Sequence, residues 1–436
     1  MAVRSAIITH MPSLESPDYR RLFISGFFTA GARWAMVLGR GWLVFEMTDS
    51  ATAVGAVTFA SFIPFVVVGP VAGAIADRID RRRQLLATTS AAVLSSLLLA
   101  ALTIGGVVEF WHVVALSLLS GASQAATVPA RQAMMPNLVP KEHLVNAIAL
   151  GSIAQHGSRV VGPLFGAALL AFAGAGYVFL LSAVLLSFGV AGVWRIRFRQ
   201  SEAAAAAGGG LLSALRGVGG DLREGVAYVE RDRRVATVLV MVMVHCGLTM
   251  SFDSMMPTLS TIVGGASTIY GAILVGIGVG AIAGAFALSL VRTPAATGRA
   301  LAWSGFGSGV AMLVLGVATF PAAVVAGAVL AGATQATFMA LSAIFIQQVV
   351  PDALRGRVMA LYIMMATSHM AFLNFGFGWA ADGVGVRVLL IVPAVLWTAF
   401  FLAAALSVGE VRHLLLRGEF RPLPEAVPAA AGGGGS

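Results

Sequence analysis

Charge is what this sequence most lacks. Only 11% of its 436 residues are Asp, Glu, Lys or Arg, and 58% are apolar. A soluble globular chain carries about 25% charged and roughly 45–50% apolar residues. The missing side chains are those that water would solvate, so a soluble domain is excluded. Cysteine is nearly absent as well. The single Cys246 sits inside an apolar run, which excludes an intrachain disulfide and argues against thiolate–metal chemistry. There is no Walker motif to cradle a nucleotide's phosphates, so ATP does not drive the protein directly. The histidines have no metal-ligand spacing, and no metal or cofactor is expected. No nucleophile–base cluster is visible either, which argues against the alternative of a membrane-embedded lipid-processing enzyme. Residues 1–21 are polar and mixed, with Pro12, Pro17, Asp18, Arg20 and Arg21. They lack a short apolar core with a cleavage site, so no removable signal peptide is expected. The terminal AAAGGGGS at 429–436 reads as a linker or a disordered tail and is left out of the fold.

What the chain does have is hydrophobic length. Its apolar blocks are long enough to cross about 30 Å of hydrocarbon as helices. They fall at roughly 22–46, 52–76, 84–106, 110–131, 145–173, 176–195, 235–262, 267–291, 299–319, 321–349, 356–381 and 386–409. The 51 glycines are scattered through these blocks, where small residues let helices approach closely. The expectation is an all-α membrane protein with twelve transmembrane helices. Its parts are an N-terminus at 1–21, a six-helix half at 22–195, a linker at 196–234, a second half at 235–409 and a tail at 410–436.

Orientation follows from the basic residues. Of 28 Lys and Arg, only Arg33, Arg40, Arg159 and Arg387 lie outside the N-terminus, the even-numbered loops and the C-terminus. Both termini are therefore expected in the cytoplasm, with the chain in a cell (inner) membrane. The net charge of +9 reflects this asymmetry and attraction to anionic membrane lipids, and needs no nucleic-acid partner. The linker has Leu211, Leu215, Val218, Leu222, Val226 and Val229 at helical spacing, which fits an amphipathic interfacial helix. Gly217, Gly219 and Gly220 fit a flexible linker equally well.

A shift of 211 residues places Gly121, Gln124, Val139 and Pro140 on Gly332, Gln335, Val350 and Pro351, and Gly69 and Gly73 on Gly280 and Gly284. Such an internal repeat, six spans long, keeps the same membrane orientation in both halves. Two parallel six-helix repeats are the arrangement of the major facilitator superfamily, with a site near the midplane between the halves.

Several motifs carry the resemblance. Gly73-Ala-Ile-Ala-Asp77-Arg78-Ile-Asp80-Arg81-Arg82 is similar to that superfamily's signature between helices 2 and 3, with Asp80 in place of a second glycine. A carboxylate at a helix C-terminus is disfavoured by the dipole. Asp77 therefore needs a partner, and Arg355 and Arg357 at the start of span 11 are the expected ones, closing a cytoplasmic gate with Arg78 and Arg81. The stretch Pro129-Ala-Arg131-Gln132-Ala-Met-Met-Pro136-Asn-Leu-Val-Pro140 resembles the branch of enterobactin-exporter-like proteins and drug:proton antiporters. Tyr19-Arg-Arg-Leu-Phe23 and Gly41 to Ser50 match that branch too. In span 5, Gly157-Ser-Arg159-Val-Val-Gly162-Pro163-Leu-Phe-Gly166-Ala167 resembles the antiporter motif of exporters. There Pro163 removes a backbone bond, and Gly162 and Gly166 bare a face to a neighbour.

Ionisable groups at membrane depth are costly and point to function. Arg33 and Arg40 share a face of span 1, and Arg159 and His156 lie three apart in span 5. His245, Thr249 and Asp253 are expected on one face of span 7, while His369 and Asn374 sit in span 11. Asp253 is the leading proton-coupling candidate, with His245, His156 and His369 behind it. Arg33, Arg40, Arg159, Gln124, Gln335 and Asn374 are the substrate-cavity candidates. The expected function is proton-coupled export of a small amphipathic molecule such as a siderophore, drug or metabolite, energised by a proton gradient and performed by a monomer. Three guanidiniums against one deep acid need compensation from water in an open cavity, from backbone carbonyls or from an anionic cargo, and the last would make the cargo acidic or catecholate-like. Import of a small nutrient on the same fold is the alternative.

Overall fold

A computed structural model describes residues 11–76, 80–197 and 211–420. Among them, eleven helices are long and apolar enough to cross a membrane. They are α1 (Pro17–Thr48), α2 (Ala51–Ala76), α3 (Arg81–Ile104), α4 (Phe110–Met134), α6 (Ala175–Trp194), α7 (Arg233–Ile262), α8 (Ala266–Ser289), α9 (Pro294–Val317), α10 (Pro321–Val349), α11 (Asp352–Val384) and α12 (Val386–Ser407). A twelfth, α5 (Leu144–Ala173), lies among them. Its Gly157, Gly162 and Gly166 face Phe27, Gly31 and Leu38 of α1 in order, so it runs parallel to α1 through the same depth. Without water in the hydrocarbon, each span must satisfy its backbone internally, and a helix does so.

Polar residues mark where the spans begin. The Ser16 hydroxyl accepts the Tyr19 N–H ahead of Pro17. Asp80 accepts from the Arg82 and Arg83 amides, so the residue that departs from the superfamily's glycine is the N-cap of α3. Asp232 caps α7 and binds the Arg234 guanidinium at 2.6 Å. Burial alone would raise the Asp232 carboxyl, but these hydrogen bonds outweigh it and hold the group below its ordinary value.

The repeat is visible in the backbone. Gly174 joins α5 to α6 at φ 87°, and Gly385 joins α11 to α12 at φ 89°. They are 211 residues apart, and each occupies the left-handed region that glycine enters without strain. Gly121 of α4 lies on the Ser61 carbonyl of α2, and Gly332 of α10 lies on the Ile277 carbonyl of α8. One part of the expected alignment fails. Gly280 and Gly284 sit against the α10 backbone, but Gly69 has nothing within 4 Å. The α2 and α8 helices begin 215 residues apart, not 211, so Gly69 does not occupy a packing position equivalent to that of Gly280.

The two halves meet from mid-depth to the face opposite the chain termini. Gly55 of α2 rests on the Asn374–Phe375 backbone of α11, and Gly378 rests on the Ala51 carbonyl. Phe59 and Phe372 stack edge-on at 5.3 Å. At the far end the Asp382 carboxylate of α11 takes the Ala51 and Thr52 amides at 2.8 and 3.1 Å and the Ser50 and Thr52 hydroxyls at 2.6 Å each. Across the bundle, Gly271 and Gly278 of α8 pack on Ala167 and Arg159 of α5.

The linker resolves as a helix, Leu211–Arg231, at the terminal face. It touches both α2 and α11. Arg357 reaches its Asp221 at 2.8 Å and its Glu224 at 2.7 Å. Cys246 is fully buried, its sulfur 3.9 Å from that of Met250 and 3.6 Å from that of Met339.

Candidate substrate cavity

A cavity of about 310 Å³ lies between the halves at mid-depth. Residues from α1, α2, α4 and α5 line one side, and residues from α7, α8, α10 and α11 the other. Five of the six cavity candidates named from sequence converge there: Arg33, Arg40, Arg159, Gln124 and Gln335. Asp253 joins them. The apolar walls are aromatic and thioether in character, including Trp34, Phe62, Phe65, Phe252, Met36 and Met250.

The arginines are held without carboxylates. Arg40 donates to the Ser61 hydroxyl at 3.2 Å and the Ser120 hydroxyl at 2.8 Å, tying α1 to α2 and α4. Arg33 and Arg159 both lie over the Trp34 ring, at 4.9 and 4.4 Å from its centroid. A ring face attracts a guanidinium through its quadrupole but leaves the charge and the edge N–H groups free. Among the described residues, no carboxylate forms an ion pair with Arg33, Arg40 or Arg159. Asp253 is near enough to Arg159 for the two charges to interact without touching.

The remaining candidates lie elsewhere. His245 does not share a face with Asp253, because α7 is interrupted between Thr249 and Asp253. It is buried in the second half, 3.1 Å from the Ser308 hydroxyl, stacked on Phe338 and edge-on to Trp397. That aromatic cage makes it a packing residue. His369 has Nδ1 3.0 Å from the Met365 carbonyl and does not line the cavity. Asn374 is fully buried beside the α7 break, outside the lining. Asp77 and Arg78 lie outside the described residues, as does the side chain of His156, and Gly73 ends up in the last turns of α2. The arginines expected to meet Asp77 have other partners: Arg355 pairs with Asp352 at 2.5 Å and Arg357 with the linker helix. Arg81 donates to the Ala133 carbonyl of α4 at 2.8 Å. Arg131 of the Pro129–Pro140 stretch donates to the Leu22 carbonyl of α1 at 3.0 Å, in room left by Gly26.

The α5 motif is a packing face. Gly162 lies on the Gly31 carbonyl and the Trp34 Cβ, and Gly166 on Leu38 and Ala35. A side chain at either position would push α5 off α1. Sequence reasoning missed Trp34, Tyr270 and Gln155 in the lining. It also missed the α7 break, for which Pro257 was a readable signal.

Comparison with known proteins fits this geometry. The sequence profile of the transmembrane secretion effector family, within the major facilitator superfamily, matches residues 8–417. The chain belongs to that family. A transmembrane secretion effector is a transporter and a multi-pass membrane protein, not an enzyme. Two relatives are the staphyloferrin A transporter of Staphylococcus aureus, 28% identical over 37% of this chain, and macrolide efflux protein A of Streptococcus pyogenes, 27% identical over 28% of it. These matches span 41% and 31% of the relatives' own lengths. The fold is that of the nucleoside transporter NupG, with a TM-score of 0.68, 15% identity and coverage of 88% of this chain and 99% of that one. It is equally like a POT family transporter, with a TM-score of 0.67, 12% identity and coverage of 89% and 96%.

Proposed function

We propose that this transporter is a proton-coupled exporter of a small amphipathic anion, acting as a monomer in the cell (inner) membrane with both termini cytoplasmic. The observation that carries the reading is the charge balance of the cavity. Three guanidiniums and one carboxylate line it, and none of the three arginines is ion-paired among the described residues. Arginine stays protonated, and unpaired charge at membrane depth is expensive. A carboxylate or catecholate cargo entering between Arg33 and Arg159 offsets that cost, with its ring against the aromatic walls. Asp253, opposite Arg159, is the proton carrier of this reading, and the proton gradient supplies the energy without a bound cofactor.

Export is supported by the Gly162–Pro163 packing on α1 and by likeness to a macrolide efflux protein. The orientation rests on the basic residues of the terminal face. In that orientation the Asp382 contacts join the halves at the outer face.

The test compares a matched pair of catechols, anionic 2,3-dihydroxybenzoate and cationic dopamine, binding to wild type and to Arg33→Gln and Arg159→Gln. The anion should bind wild type preferentially and lose about tenfold or more in each variant, the loss of one charge-assisted contact of about 1.5–3 kcal/mol. Equal binding of both catechols, or unchanged anion affinity in both variants, rejects the anion site. Efflux in everted vesicles that ignores an imposed pH gradient rejects the coupling.

A further inference from the structure

The interruption of α7 leaves a defined hydrogen-bonding problem. In a continuous helix the Thr249 carbonyl accepts the Asp253 amide, and the Met250 carbonyl accepts the Ser254 amide. Here the helix stops at Thr249 and resumes as a tight turn at Asp253–Met255 before Met256–Ile262. Pro257 at the start of the second piece has no amide to return to Asp253. It accounts for a weak point, but not for which groups occupy the gap.

Two side chains from other helices do. Gln335 of α10 donates Nε2 to the Thr249 carbonyl at 2.5 Å. Asn374 of α11 accepts the Ser254 amide at 3.2 Å on Oδ1, and its own carbonyl receives the Ser254 hydroxyl at 2.9 Å. Asn374 is itself fixed by its Nδ2 on the Met370 carbonyl at 3.0 Å. Gln335 is 3% exposed and Asn374 0%, so water does not compete for these bonds. One amide thus fills the acceptor side of the break and the other fills the donor side, at two successive places where helical bonds are missing.

We propose that Gln335 and Asn374 are positioning residues that hold α7 unwound and thereby keep the Asp253 carboxylate in the cavity. While Gln335 occupies the Thr249 carbonyl, the Asp253 amide has no helical partner to return to, and the residue stays turned toward Arg159. The repeat gives a contrast. Gln124 stands 211 residues before Gln335 and also lines the cavity. Its half has an unbroken α1 over Pro17–Thr48, so Gln124 has no such gap to fill. The twin glutamines have diverged, one bracing a helix and one free to meet cargo.

The part of this inference that concerns binding rests on the anion reading above; the part that concerns the helix does not. The experiment uses the full-length protein in detergent or nanodiscs, with Gln335→Leu, Asp253→Asn and the double variant. Amide exchange over 250–254 should slow about tenfold in Gln335→Leu, because the Asp253 amide regains the Thr249 carbonyl. Binding of 2,3-dihydroxybenzoate should tighten several-fold in Asp253→Asn, where a like charge is lost. Gln335→Leu should tighten it similarly, and the double variant should match Asp253→Asn, since the two act through one carboxylate. Should Gln335→Leu not fold, Gln335→Met removes the donor at nearly the same length and is read the same way. Unchanged or faster exchange at 250–254 overturns the brace, whatever the charge of the cargo. Slower exchange with weakened anion binding, or additive effects in the double variant, overturns the route through Asp253. If 2,3-dihydroxybenzoate binds no form of the protein, the anion reading fails and exchange alone decides the brace.

Discussion

Gly162 and Gly166 are one turn apart on α5 and look interchangeable, yet they meet different neighbours. Gly162 faces the Gly31 carbonyl and the Cβ of Trp34, whereas Gly166 faces Leu38 and Ala35. Trp34 lines the cavity under two guanidiniums; Leu38 does not line it. A leucine at either site overpacks the α1–α5 contact, an effect of about 1–3 kcal/mol. Gly166→Leu should therefore lower turnover and leave the affinity for an anion within about twofold, because only the packing face changes. Gly162→Leu should lower both, because it displaces Trp34. Transport assays paired with equilibrium binding separate the two; identical profiles for both variants contradict the assignment. Gly166 thus faces packing side chains alone, whereas Gly162 also backs a residue of the cavity wall. The motif fixes the spacing along one helix, but the identity of the opposing side chain is set by where α1 lies.

Helix ends carry the next level of control. The N-terminus of α2 belongs to one half and the carboxylate that caps it, Asp382, to the other. Free amides at a helix start favour an anion, and two hydroxyls complete the shell. This capping closes the face away from the termini and must break whenever that face opens. Asp382→Ala should shift the balance toward the form open there by about tenfold, corresponding to about 1.4 kcal/mol. Spin-label distances across the ends of α2 and α11 report it; distances matching wild type would mean the latch is inert. Elements of this kind were only partly legible in the sequence. The spans themselves were, since hydropathy and length dictate them, and so were Arg33, Arg40 and Arg159, because a charge in hydrocarbon announces itself. The fate of His245 was not. Whether a histidine on α7 faces a cavity or an aromatic cage depends on a helix break at 250–252, and Gln335 and Asn374, which occupy that break, are distant in sequence.

At the scale of the whole molecule, α2 and α11 touch directly toward the face away from the termini, and a connector touches both at the other. The linker helix Leu211–Arg231 touches α2 and α11, and its Asp221 and Glu224 share Arg357. These pairs are half-exposed, and such pairs contribute about 0–1 kcal/mol each. The helix is thus a light strut, and its hold should weaken as salt shortens the screening length from about 10 Å at 0.1 M to about 3 Å at 1 M. Arg357→Gln should speed amide exchange over 221–229 a few-fold at low salt and make little difference at high salt. Equal exchange in variant and wild type at low salt would show that the strut is held by its apolar contacts alone. Arg357, expected opposite Asp77, pairs instead with this helix, because an amphipathic segment at the boundary between halves has somewhere to dock, which periodicity alone could not reveal. The burial of Cys246 against two methionines has a practical reach of its own. With its only thiol sealed in the second half's core, the native chain is nearly silent to water-soluble maleimides. Reporter cysteines placed at the outer ends of α2 and α11, or along the linker, can then be read against a dark background without first rebuilding the protein.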